Sequence, residues 1–264
     1  MKTKVLGSSL AMLMAISTAA QAQDYVSIRY PDGRPDIIGI EKANEILHTI
    51  GVHISTVNIP TKARPILKKS ESQALSEADK ENLLSYFKLS QKQLLEQIKL
   101  AGREPTVAGG GVLTRDKDGH TYPNVDDMQS ADDSIRKLIL EKYGRLHVNS
   151  ADDGTGIDEV MTVVSGGPYR WGFTLNDGTV IRFQVNKIGG KDKAVRVSYA
   201  GLGMHAGIID AKHGVMISYA HGPEEFVMRY DSPKTPYAQL LGTNQWIDYS
   251  EDMPKVLDCI SPCK

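Results

Sequence analysis

Cysteine is nearly absent. The 264 residues hold only two, Cys259 and Cys263, in Cys-Ile-Ser-Pro-Cys at the extreme C-terminus. No second pair exists to complete a thiolate zinc site, and the spacing is not that of the Cys-x-x-Cys oxidoreductases. A tail is also a poor place for a nucleophile that needs a held base and oxyanion donors. In an oxidising compartment the two can pair and pin the tail into a small loop, with stabilisation at the low end of the usual ~2–4 kcal/mol. An excess of one charge is lacking as well. The balance of 31 basic and 32 acidic residues gives no concentrated basic face for nucleic acid or an anionic membrane. No Gly-x-Ser-x-Gly elbow is present, and no carboxylate spacing singles out a glycosidase pair.

Long apolar runs are missing except at the start. Lys2 and Lys4 are followed by the mainly apolar, uncharged stretch Val5 to Ile16, and Ala20-Gln21-Ala22 offers small residues before Gln23. This order is that of a secretory signal peptide over residues 1–22. Its apolar part is shorter than the roughly 20 residues a membrane-spanning helix needs, and no lipobox cysteine follows it. Cleavage removes two lysines and no acid, leaving 242 residues with 29 basic and 32 acidic side chains. The expectation is therefore a soluble domain in the periplasm or outside the cell.

Periodicity divides the remainder in two. Residues 25–70 read as strand, helix, strand: Ile40, Ala43, Ile46, Leu47 and Ile50 recur at helical spacing, and Val52 to Ile59 is β-branched up to Pro60. Lys62 to Ser70 is basic and contains Pro65, which predicts a solvated connection. Ser76 with Asp79, and Ser90 with Gln93, are placed to cap two helices. Residues 103–129 read as loop, including Gly109-Gly110-Gly111, which lacks the ending of a P-loop. A short helix is expected from about Ala131 to Tyr143. From residue 146 the period becomes two, with Tyr169, Trp171, Phe173 and Leu175, the turn Asn176-Asp177-Gly178, then Thr179, Ile181, Phe183 and Val185. Further short strands end near Tyr230, a spacing that argues for an all-β sandwich or barrel. Residues 232–264 hold Pro233, Pro236, Pro254 and Pro262 and read as a tail draped over the domain.

One stretch carries chemistry. His147-Val-Asn149 is followed by Asp158-Glu159-Val160, an apolar run and Gly166-Gly167, with six residues between Glu159 and Gly166. It resembles the first motif of the cupin superfamily, and Gly201-Leu-Gly-Met-His205 is placed as the second. The resemblance covers residues 144–231 and implies an α+β chain: an α/β extension over 23–143 and a cupin-like jelly-roll β-barrel over 144–231. It further implies that His147, Glu159 and His205 bind a divalent metal. Asn149 stands where the family has its second histidine, so it is expected as a weak ligand or one that orients a bound water. His221 is a candidate replacement ligand. Two imidazoles and a carboxylate suit Fe, Mn, Zn or Ni, and open positions would let the ion activate water or polarise an oxygen.

The implied function is an exported, cupin-like protein with a small-molecule site, as a metal-dependent enzyme or as a metal-free barrel that keeps a binding pocket. A homo-oligomer is left open. The acidic turn from Asp152 to Asp158 lacks the spaced ligands of an EF-hand loop and reads as a solvated loop.

Overall fold

The computed structural model describes residues 25–105, 114–117, 121–189 and 193–260. The expected signal peptide, the glycine triplet and Cys263 lie outside them. The chain opens with β1 (Val26–Arg29), β2 (Ile37–Ile38), α1 (Ile40–Leu47) and β3 (His53–Asn58). Lys62 to Ser70 is not a bare connection: it holds α2 (Arg64–Lys69), with Leu67 buried. Pro65 is tolerated there because it falls in the first turn, where its missing N–H would have had no partner. Next come α3 (Glu77–Tyr86) and α4 (Gln91–Leu100), both opened by reciprocal capping boxes, Ser76 with Asp79 and Ser90 with Gln93. The stretch expected as loop contains three short strands, β4 (Thr114–Asp116), β5 (Thr121–Tyr122) and β6 (Asn124–Asp127). Helix α5 (Asp133–Lys142) follows, with the Asp132 carboxylate accepting from Ile135 N–H.

The β-rich part comprises β7 (Val148–Ser150), β8 (Asp158–Gly166), β9 (Tyr169–Thr174), β10 (Val180–Val185), β11 (Lys193–Ala200), β12 (His205–Ile208), β13 (Gly214–His221) and β14 (Glu225–Arg229). Two five-stranded sheets carry the fold, in the orders β12-β9-β10-β1-β2 and β3-β11-β8-β13-β6. Every pairing within them is antiparallel. A smaller sheet, β5-β4-β14-β7, includes one parallel pair, β4 with β14. The tail forms the hairpin β15 (Ile247–Asp248) and β16 (Lys255–Val256) and buries Trp246.

The strands of the expected cupin-like barrel do not close into a ring among the described residues. Its strands are divided between separate sheets, and strands from the first half of the chain occupy edges that a barrel would have to join. Strands β3 and β6 flank the β11-β8-β13 ribbon, while β1 lies between β10 and β2. The two large sheets share one apolar core, to which Phe183 and Trp171 of one and Val163 and Val197 of the other belong.

Helix α4 packs across β3, β11, β8 and β13. This explains why all nine residues of β8 are buried: one face meets the helix and the other faces the interior. The alternation of a strand then assigns directions. Asp158 turns to the helical side, where Arg103, just past α4, forms an ion pair with it and donates to Ser198 Oγ at 3.1 Å. Glu159 and Met161 turn inward.

Strand β8 ends at Gly166, which pairs with Gly214 of β13. A Cβ on Gly166 would stand 2.3 Å from Gly214 Cα and 2.4 Å from His213 O, and its φ is +70°. Both sterics and backbone therefore demand glycine. Gly166→Ala is expected to cost roughly 2–3 kcal/mol by urea unfolding. Gly154→Ala has a similar φ of +87° but nothing within 4 Å, and should cost about 1 kcal/mol.

Candidate functional site

Five strands bring their chemistry to one place. On β8, Glu159 faces inward. Its register partners are Tyr199 on β11 and Ala220 on β13, so Tyr199 joins it on the inner face. His147 and Asn149 are two residues apart and share one face at the start of β7. His205 begins β12 and is tied to His147 by a pair of backbone hydrogen bonds, His147 N–H to His205 O at 2.9 Å and the reverse at 3.1 Å. These bonds set the two imidazoles side by side, with ring centroids 4.5 Å apart.

The four polar side chains are almost fully buried, each 3 % exposed. They line the polar end of a cavity of about 420 Å³ whose walls include Trp171, Met161, Met216 and Phe226. His205 Nε2 lies 3.2 Å from Glu159 Oε2, and Asn149 Nδ2 donates to the same oxygen at 3.0 Å. Tyr122, on β5, donates its hydroxyl to Glu159 Oε1 at 3.2 Å. Nothing in the sequence pointed to Tyr122, which lies in a stretch without periodicity. The Tyr199 ring lies tilted against His205, with centroids 4.8 Å apart.

His221 is not brought to this site. It pairs with Asp158, so it shares the helical side of the sheet and faces away from Glu159. The register accounts for this: Ala220, one residue earlier, takes the inward position.

Burial and neighbours set the protonation states. His147 is pushed down to about 3, first by burial and then by the neighbouring His205, so it is neutral at ordinary pH. Burial by itself would raise the Glu159 carboxyl. The His205 hydrogen bond and charge, aided by Asn149, outweigh it and hold the group below its ordinary value. Burial, reinforced by Glu159, pushes the Tyr122 and Tyr199 hydroxyls well up. Tyr122 is thus a donor at any physiological pH.

Both imidazoles are anchored through Nδ1, His147 to Arg145 O and His205 to Gly203 O, each at 2.7 Å. A nitrogen that close to a carbonyl carries the hydrogen, which leaves Nε2 as the acceptor in a neutral ring. This backbone anchoring is how metal-binding histidines are commonly oriented. It has a sharp consequence at His205. With that ring neutral, Nε2 and carboxylate Oε2 at 3.2 Å face each other as two acceptors, with the Asn149 amide nitrogen 3.4 Å and 3.0 Å away; a proton on Nε2 or a cation between them relieves the clash. Asn149 Oδ1 is buried and has no hydrogen-bond partner, while its Nδ2 is the atom turned to Glu159. In donor type the residues fit a divalent ion: two imidazole nitrogens, a carboxylate and an amide oxygen. In placement the fit is partial. Among the described residues no three His, Cys, Asp or Glu side chains form a group able to hold a metal as they stand. His205 and Glu159 are in contact, while His147 meets His205 ring to ring.

No family model matches the chain, and no curated protein does. Among solved structures, it is similar in fold to acireductone dioxygenase from Bacillus anthracis with cadmium ion in its active center, a cupin-fold enzyme. The TM-score is 0.50 at 16 % identity, over 77 % of this chain and 95 % of the other. The likeness therefore extends well beyond residues 144–231 and takes in part of the remaining chain.

The His147 shift carries a sign. Folded His147 takes a proton only near pH 3, whereas the unfolded side chain takes one near 6.5. Its contribution to stability is complete above about pH 6.5 and is lost as the pH falls toward 3. Glu159, held below its ordinary value, acts in the same direction at more acid pH. In metal-free protein, His147→Gln should flatten the fall of the urea midpoint between pH 6.5 and 4 and leave the steeper loss below pH 4.

Proposed function

We propose that this chain is an exported, cupin-like, divalent-metal-dependent enzyme acting on a small molecule held between its sheets. The single observation that carries the reading is the meeting of His205 Nε2 with Glu159 Oε2 at 3.2 Å, two acceptors that a cation would reconcile. Two ligands of about 2.1 Å each can share one ion across such a gap. His147, Glu159 and His205 would hold the ion. Asn149 would turn its amide, so that Oδ1 replaces Nδ2 at the cluster. Fe, Mn, Zn or Ni all suit these donors. When bound, the ion would supply Lewis acidity toward an oxygen of the substrate.

The protein's own groups have definite tasks. Arg145 O and Gly203 O fix both histidine rings and leave each Nε2 facing the cavity. Tyr122 keeps its proton and donates it to Glu159 Oε1, which holds the carboxylate in one rotamer. Trp171 and the methionine side chains exclude water around the substrate. The signal peptide over residues 1–22 and a Cys259–Cys263 pair in the tail belong to the same reading, that of a protein working in the periplasm or outside the cell.

A second reading is favoured by one specific observation: His147 does not converge with the other two donors. On it, the chain is an exported ligand-binding protein whose cavity works without metal, and His205 carries the proton that satisfies Glu159.

Metal analysis of the purified protein by mass spectrometry separates the two. The enzyme reading expects near-stoichiometric Fe, Mn, Zn or Ni, lost in both His147→Ala and His205→Ala. A wild type that neither holds nor takes up any of the four would leave the binding-protein reading. Asn149→His replaces an amide by an imidazole at the cluster. It should tighten metal retention at least tenfold in competition with a chelator.

A further inference from the structure

We infer that the cavity is built for an uncharged ligand with an apolar, ring-sized body and one polar end, admitted past α5. The inference rests on the proposed small-molecule site and adds the class of molecule it takes.

The cavity has one cluster of convergent polar side chains, and the other polar groups on its wall, among them Asp126, Asp127 and Ser218, are bonded to the protein itself. His147, Asn149, Glu159 and His205 form that cluster, while the body of the wall is aromatic and thioether: Trp171, Phe226, Met161, Met216 and Met228. Methionine is unbranched and polarisable, so such a wall adapts to flat apolar bodies. Aromatic and apolar walls with a few convergent polar groups are the usual form of a small-molecule site.

Charge then narrows the choice. Three carboxylates, Asp126, Asp127 and Glu159, lie on the wall. Asp126 accepts from Asn124 Nδ2 at 2.7 Å and from Ser218 Oγ at 2.8 Å. Asp127 accepts from Leu75 N–H at 2.7 Å and from Gln129 N–H at 3.1 Å. All three carboxylates are thus held in place by hydrogen bonds from the protein. Lys80, the lysine on the wall, is paired with Glu77 at 2.9 Å. Among the described residues no arginine reaches the lining. A carboxylate or phosphate on the ligand body would meet fixed negative charge in a low-dielectric space with no guanidinium to receive it.

The entrance agrees with this. Ile135 and Leu138 of α5 belong to the cavity wall, yet are 44 % and 54 % exposed. They therefore stand at its rim, and Ile139 continues the same helix inward. An apolar rim is a threshold that a neutral, apolar molecule crosses without losing favourable hydration.

The test uses 2-naphthol and 2-naphthoate, which share one ring body and differ in charge at pH 7.5. Each is titrated by calorimetry into the full-length processed protein, as purified and after chelator treatment, with metal content measured on the same samples. Naphthol should bind at least tenfold more tightly than naphthoate in the chelator-treated sample, where no ion stands at the polar end to receive a carboxylate. Asp126→Asn should raise naphthoate affinity about three- to tenfold and leave naphthol unchanged. Leu138→Asp, at an exposed position where folding is not at stake, should weaken naphthol several-fold at an unaltered melting temperature. Equal or tighter binding of naphthoate to the chelator-treated protein overturns the inference, as does failure of naphthol to bind. Naphthol preference in a protein that takes up no metal upholds the inference and defeats only the metal reading. Metal uptake with naphthoate preferred after chelator treatment does the reverse.

Discussion

Glu159 is a carboxylate with almost no access to water, and a group of that kind must be surrounded by donors or by positive charge. Taking it out of water costs several kcal/mol even after relaxation. The surrounding fold is arranged around that requirement. Tyr122 arrives from β5, Asn149 from β7 and His205 from β12, and each approaches one of its two oxygens. Removing any one of these strands would leave the carboxylate short of a partner, so the site and the sheet order are a single construction. The same demand explains the choice between a proton and an ion at His205. Once its Nδ1 is committed to Gly203 O, the two facing acceptors share a single protein donor, the Asn149 amide, and an added proton or ion completes their pairing.

Strand β8 separates two different uses of acidic side chains by a single residue step. Asp158 faces α4 and is neutralised by Arg103, a permanent pair at 12 % and 1 % side-chain exposure. Glu159 faces the cavity and meets no guanidinium. One carboxylate fastens a helix to the sheet; its neighbour is left to whatever occupies the cavity. The helical layer therefore does more than cover the sheet, because it takes up the charge that would otherwise compete for the site.

How much of this was legible in the sequence depended on how local the signal was. The capping boxes at Ser76 and Ser90 and the hairpin at Asn176-Asp177-Gly178 were readable because each is decided by residues within a few positions. The inward placement of His147, Asn149 and Glu159 followed from a two-residue period and a motif resemblance. Helix α2 was missed because Pro65 reads as a breaker unless its position in the first turn is known. Tyr122 was missed because its partner Glu159 is 37 residues away in a segment with no pattern of its own. His221 was misplaced for a related reason: which face it occupies is set by its register against β8, and register between distant strands is not written in either strand alone. The barrel was expected to be built from residues 144–231 alone because β1, β3 and β6 were credited to a separate extension, whereas hydrogen bonding places them within the large sheets.

The position of β1 bears on the order in which the fold is completed. Val26 pairs with Val185 and Arg29 with Arg182, so an interior strand of one sheet is supplied by the start of the chain and its neighbour by residues more than 150 positions later. Contacts of such sequence separation form slowly, because loop closure must precede any gain from pairing. Until residue 185 has been synthesised, the leading strand has no partner on that side and this sheet stays incomplete. The strand that leads the fold in sequence is thus among the last to be fixed in it.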